Sequence, residues 1–346
     1  MEESTTDNQN NDPITLPSQA EPQATSGIPV TPSLIILGVF MFILLGGALT
    51  PKVISYFSGQ KNIESTPIIN NETNTLKPFT KTEQDLAYSE VKVRAQSAYV
   101  WDIANQQVLY AKNEAEVLPI ASITKLMTAL VADEILAKDE TVAIGTEATR
   151  QDSPLGLVAG QSYDRQSLTD LTLISSANDG AYALAASAGS LLSKENPAGA
   201  FVAAMNVRAE EIGLHQTVFK NPTGLDMSAS EAGAVSSARD VAFLMEYILQ
   251  NEPDILTFTQ DEEARIYSNE GSYIDANNTN FYIDEIPGLL GSKTGYTDLA
   301  GGNLVVAYDA GLNRPIVVVA LGSTQHERFT DVMKLIEATN NLISKE

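Results

Sequence analysis

Three short segments carry residue types that together make a reaction centre: Ser122-Ile-Thr-Lys125, Ser176-Ala-Asn178 and Lys293-Thr294-Gly295. A serine hydroxyl is a poor nucleophile until a neighbour takes its proton. Residues three apart on a helix share a face, which puts Lys125 beside Ser122. A lysine can act as that neighbour once burial or a second cation lowers its pKa. Lys293 is the second cation if it faces the same cleft. Ser122 at a helix N-terminus also gains from the positive end of the dipole. The Ser176 hydroxyl is suited to passing a proton and the Asn178 amide to holding a carbonyl. Lys293 and Thr294 suit a carboxylate, and Gly295 lets backbone come close.

Each segment alone has an ordinary explanation: a capping serine before a surface lysine, a loop between helices, a lysine in a turn. Ser-x-x-Lys also occurs at Ser58/Lys61 and Ser89/Lys92, whereas Ser-x-Asn and Lys-Thr-Gly each occur once. The inference rests on the set.

Composition narrows the chemistry. Forty-four acidic and 21 basic residues give a net charge of −23, which argues against nucleic acid as a partner. With no cysteine there is no disulfide, thiol nucleophile or thiolate metal site. The only two histidines, His215 and His326, leave little material for a histidine triad or a histidine zinc site. A hydrophobic content of 43% is enough for a sizeable core.

The elements that must position these residues begin late in the chain. Residues 1–32 are rich in Thr, Asn, Gln, Pro and acids and read as disordered. The uncharged, apolar run at 33–49 makes residues 33–50 a short membrane-spanning signal anchor. A cleaved signal peptide is the rival, but the acidic leader lacks a positive n-region. Residues 51–84 read as a linker and 85–346 as the folded unit. Lys52 and Lys61 follow the span, which by charge alone would leave that unit in the cytoplasm. Long domains, however, translocate largely regardless of charge.

In the folded part, residues 98–103 and 107–111 predict an antiparallel hairpin. Residues 122–137, 167–192, 199–212 and 238–249 predict helices, with a loop at Asp179-Gly180. Lys293-Thr294-Gly295 is expected at the end of an inner strand bordering a cleft. Strands at 302–308 and 315–321 precede a closing helix at 327–342. Strands at both ends with helices between them predict an α+β fold.

With these residues in place, the chain resembles the serine D-alanyl-D-alanine carboxypeptidases, the low-molecular-mass penicillin-binding proteins related to serine β-lactamases. The resemblance covers roughly residues 90–340. It runs through Pro119-Ile-Ala-Ser-Ile-Thr-Lys-Leu-Met-Thr-Ala-Leu130, Ile174-Ser-Ser-Ala-Asn-Asp-Gly-Ala181 and Asn221-Pro-Thr-Gly-Leu-Asp226. Ser237-Ala-Arg-Asp240 and Gly291-Ser-Lys-Thr-Gly-Tyr-Thr297, followed by Ala300-Gly301, complete it. It implies a β-lactamase/transpeptidase-like fold, an antiparallel sheet flanked by helices with a helical subdomain. Ser122 is then the nucleophile, Lys125 the general base and Ser176 the proton relay. Asn178, Lys293, Thr294, Gly295 and Tyr296 bind substrate, with the N–H groups of Ser122 and Tyr296 as oxyanion hole. No metal or organic cofactor is implied. Peptidoglycan stem peptides are the implied substrates, β-lactams covalent inhibitors, and the extracytoplasmic side of the cell membrane the implied location.

One departure stands out. Some members carry an arginine before the Lys-Thr-Gly strand, where this chain has Asn278-Thr279-Asn280. A DD-endopeptidase with the same residues is one alternative activity. A class A-like β-lactamase is another, prompted by Glu211-Ile-Gly-Leu-His215, where His stands in place of the Asn of that segment. A non-catalytic envelope-binding protein is the third, although no site residue is missing.

Overall fold

The computed structural model describes residues 77–311 and 313–345. The expected leader, membrane span and most of the linker lie outside the described residues. Among the described residues, no helix is long and apolar enough to cross a membrane.

Helix α1 (Lys81–Ala87) starts within the expected linker, whose last residues are therefore folded. The Thr80 hydroxyl accepts from Glu83 N while the Glu83 carboxylate accepts from Thr80 N, a reciprocal cap, and Phe79 is buried. The expected hairpin follows as β1 (Ser97–Asp102) and β2 (Gln107–Lys112). After the short β3 (Leu118–Pro119), a 3-10 turn (Ala121–Thr124) leads into α2 (Lys125–Ile135). Strands β4 (Thr141–Ala143) and β5 (Ser162–Asp164) precede helices α3 (Arg165–Ile174), α4 (Asn178–Leu192) and α5 (Pro197–Glu211). Strands β6 (Val218–Phe219) and β7 (Ala234–Ser236) lead to α6 (Ala238–Asn251) and the hairpin β8 (Glu263–Tyr267) and β9 (Tyr273–Asn277). The chain closes with β10 (Leu289–Thr297), β11 (Gly301–Asp309), β12 (Pro315–Ser323) and α7 (Glu327–Ile343).

The main sheet is antiparallel, in the order β10-β11-β12-β1-β2. Successive side chains of a strand face opposite ways. In β12, Val317, Val319 and Leu321 join the core under α2 to α6, while Ile316, Val318 and Ala320 join the core under α1 and α7. Both faces of the sheet are therefore covered. Helix α2 is buried along its first eight residues, so it forms the axis of the helical half.

Three local expectations change. The chain breaks at Ser175–Ala177, and Asp179-Gly180 lies in the first turn of α4 instead of a loop. A Cβ at Gly180 would come within 2.4 Å of the Thr172 hydroxyl on α3, so this glycine permits helix packing. Ser122 occupies the 3-10 turn, with the α-helix starting only at Lys125. Finally, β10 is an edge strand of the sheet, and Lys293-Thr294-Gly295 lies within it rather than at its end.

Candidate active site

The Ser122 turn is held from below and from the side. Ala121 adopts φ +47, the left-handed region that costs a non-glycine residue about 1–3 kcal/mol. The Thr124 hydroxyl donates to Ala121 O at 2.7 Å. Gly224, at φ +78, packs so tightly on the same carbonyl that a Cβ there would meet Ala121 O at 2.0 Å. On the other side, a Cβ at Gly295 would lie 2.6 Å from Ile120 O and 3.2 Å from Ser122 N. Two glycines thus let two backbone segments close on the candidate nucleophile.

Lys125 is fully buried, and its Nζ has three oxygen neighbours: Ser122 Oγ at 2.8 Å, Asn178 Oδ1 at 2.7 Å and Thr223 O at 2.8 Å. Asn178 cannot turn its amide over, because Nδ2 donates to Asp152 O at 2.8 Å and Ser153 O at 3.3 Å. The Oδ1 is thereby fixed as an acceptor towards Lys125. A neutral amine has two N–H groups and one lone pair. In that neutral form, with the donors used on Asn178 Oδ1 and Thr223 O, the lone pair is left for the Ser122 hydroxyl. Burial pulls the Lys125 pKa down to about 7, against an opposing pull from the Asp179 carboxylate. Desolvation, not the second cation expected from the sequence, is what lowers it.

Lys293 is also buried and donates to Thr294 O at 3.0 Å. Its pKa lies well below the ordinary lysine value, first through burial and then through the charges of Lys125 and Arg328. The Thr294 hydroxyl donates to the Thr279 hydroxyl at 2.7 Å, so the threonine found where some family members carry arginine is tied to the site. Tyr296 follows on the same strand with 45% of its surface exposed.

Ser176 stands apart from this network. Its backbone is left-handed (φ +57) and its side chain half-buried. Its hydroxyl takes no part in the hydrogen bonds joining Ser122, Lys125 and Asn178.

Two participants were not legible as such. Thr223 supplies the third oxygen to Lys125, and the only signal was its place in the Asn221–Asp226 segment. Arg328, at the start of α7, is buried and donates from Nη1 to Gly295 O at 2.8 Å, while its Nε has no partner. Burial lowers its pKa to about 10. A lone arginine 33 residues beyond Gly295 gives no spacing signal.

The remaining candidates sit elsewhere. Glu211 lies on the surface at the end of α5, ion-paired to Arg208 at 2.9 Å, which removes the basis for a second carboxylate base. The Ser89 hydroxyl is exposed and donates to Leu86 O, and Ser58 lies outside the described residues. Both histidines are exposed. Among the described residues, no cluster of His, Asp or Glu is arranged to hold a metal ion.

The D-alanyl-D-alanine carboxypeptidase model of peptidase family S11 matches residues 81–325. D-alanyl-D-alanine carboxypeptidase DacF of Bacillus subtilis (strain 168) is 34% identical over 284 residues, 80% of this chain and 70% of its own length. A D-alanyl-D-alanine endopeptidase of Pseudomonas aeruginosa is 32% identical over 249 residues, covering 69% of this chain and 75% of that protein. Penicillin-binding protein D2 of Listeria monocytogenes in its cefotaxime-bound form superposes with a TM-score of 0.61 at 28% identity, over 72% of this chain and 98% of that one. With a serine and a buried lysine in hydrogen-bond contact on this fold, the chain belongs to the D-alanyl-D-alanine carboxypeptidase family of serine peptidases.

Proposed function

We propose that this protein is a membrane-anchored serine carboxypeptidase that removes the terminal D-alanine from peptidoglycan stem peptides. The observation that carries the reading is the buried Lys125 Nζ, 2.8 Å from Ser122 Oγ and tied down by Asn178 and Thr223. Ser122 Oγ attacks the carbonyl between the two D-alanines as its proton passes to neutral Lys125. The N–H groups of Ser122 and Tyr296 receive the developing oxyanion, each donor supplying about 3 kcal/mol. A proton delivered by way of Ser176 lets D-alanine leave as an amine, and water then releases the acyl group from Ser122.

The substrate carboxylate lies at Lys293 and Thr294, with Arg328 adding charge behind Gly295. A β-lactam offers the same pairing of a carboxylate and a reactive amide carbonyl, and the Listeria relative has been crystallised with cefotaxime and ampicillin. Cleavage of cross-links is a second reading, supported by the relatives named D-alanyl-D-alanine endopeptidases in Pseudomonas aeruginosa and Escherichia coli.

The division of the chain follows from the sequence: leader 1–32, anchor 33–50, linker 51–84 and catalytic domain 85–346, with α1 added to the folded part. A cell-wall substrate requires the domain to face outward. The test is labelling of the purified protein with a fluorescent penicillin, together with mass spectrometry of a D-Ala-D-Ala peptide and a cross-linked dimer after incubation. Ser122→Ala is expected to abolish labelling. Labelling of that variant, or cleavage of the dimer alone, overturns the carboxypeptidase assignment.

A further inference from the structure

The turn that carries Thr223 is pinned by one side chain. Asn221 Oδ1 accepts from Gly224 N at 2.7 Å, from the Thr223 hydroxyl at 3.0 Å and from Thr223 N at 3.1 Å. That turn delivers the Thr223 carbonyl to Lys125 Nζ and seats Gly224 on Ala121 O. The other end of the amide sets its orientation. Asn221 Nδ2 donates one hydrogen to Leu225 O at 2.8 Å and the other to the Met227 sulfur at 3.2 Å. Gly233 closes one side, since a Cβ there would lie 2.4 Å from Nδ2, so the amide cannot move that way.

Met227 is also the accessible sulfur among the described methionines. Met127, Met205 and Met245 are fully buried and Met333 is half-buried, whereas Met227 is 54% exposed. A thioether accepts hydrogen bonds only weakly, but its sulfoxide is polar and carries an exposed oxygen. The Met227 backbone is held beside the turn, with its N–H donating to Glu231 O at 2.7 Å.

We propose that Met227 is a site of reversible oxidation by peroxides, and that its sulfoxide slows acylation of Ser122 by drawing the Asn221 amide out of place. The sulfur lone pair takes one oxygen from hydrogen peroxide. The O–O bond breaks as the S–O bond forms, the thioether is oxidised by two electrons, and the rest of the peroxide leaves as water. An N–H···O bond spans about 2.9 Å, so the new oxygen cannot enter the 3.2 Å between Nδ2 and the sulfur. It competes instead with Leu225 O for the amide hydrogens, and the amide turns to meet it. Oδ1 then leaves Thr223 N and Gly224 N, and Lys125 loses the fixed Thr223 carbonyl that helps to aim it.

The test treats the full chain with graded hydrogen peroxide, maps methionine sulfoxide by peptide mass spectrometry and measures acylation by fluorescent penicillin. Met227 should oxidise ahead of Met127, Met205, Met245 and Met333. Acylation should fall about tenfold in proportion to its sulfoxide, because a small displacement of the base is costly. Methionine sulfoxide reductases for both epimers should restore the rate. Met227→Leu keeps the volume and loses only a weak acceptor, so its untreated rate should stay within about twofold of wild type and should resist peroxide. Met227→Gln, which sets an amide oxygen beside Asn221, should be slow without any peroxide. Oxidation of another of these methionines first, complete Met227 sulfoxide with an unchanged rate, or equal inactivation of Met227→Leu overturns the proposal. A protein that penicillin fails to label before treatment defeats the carboxypeptidase reading instead, and the order of oxidation still decides the site.

Discussion

Lys125 shows how a residue type at a helical spacing becomes a candidate base. The Ser122–Lys125 spacing was legible because two residues three apart on a helical turn share a face. The lysine's protonation state was not, because it depends on burial by segments distant in sequence and on an amide held by Asp152 O and Ser153 O. With a folded pKa of about 7 against an ordinary 10.5, the unfolded chain binds a proton between those values that the folded chain does not. Stability therefore rises with pH across that window, and below pH 7 the penalty is on the order of 5 kcal/mol. Lys125→Met should accordingly abolish acylation yet unfold at higher denaturant than the wild type at pH 6, with the advantage shrinking towards pH 10. Denaturation curves at several pH values measure this, and a pH-independent difference would contradict a buried neutral amine. In the wild type, acylation by penicillin should rise with pH through an apparent pKa near 7.

Elements were legible in outline and misread at their junctions. The hairpin, the closing strands and α7 came from periodicity, which extends over many residues. The break at Ser175–Ala177 has no such signal, and the Asp-Gly pair that suggested a turn instead starts α4 against α3. The 3-10 turn bearing Ser122 likewise exists because Ile120, Gly224 and Gly295 surround it. Gly224→Ala should test how far that surrounding segment matters. The new methyl meets the Ala121 carbonyl at 2.0 Å in a left-handed backbone, so the Ser122 turn or the Thr223 carbonyl must move. A loss of about 1–3 kcal/mol in stability is expected. Acylation should fall roughly 10²-fold, because displacement of about 1 Å misaligns Lys125 and Ser122. Thermal melts and penicillin-binding rates provide the readouts; an unaltered acylation rate would show that the packing on Ala121 does not set the nucleophile's position.

At the scale of the whole molecule, the α+β class followed from strands at the two ends of the folded part with helices between them. The strand order did not, because pairing of β1 with β12 joins residues more than 200 positions apart and leaves no local trace. That pairing leaves two strands at the ends of the sheet, β2 and the β10 that carries Lys293. A strand edge is available to an extended chain, including another copy of the same protein, wherever nothing engages it; along β10, Gln260 and Thr259 already engage Leu290 O and Ser292 N. Lys293 is buried within that edge, and a strand laid along it would close the last approach of water to its amine. If this lysine meets the substrate carboxylate, the same amine admits a short anionic peptide and opposes a neutral strand. Lys293→Leu should lose both functions together. Its acylation by carboxylate-bearing penicillins should weaken, and light scattering should report concentration-dependent oligomers absent from the wild type. Solubility and substrate choice would then be two outcomes of one amine on one edge strand.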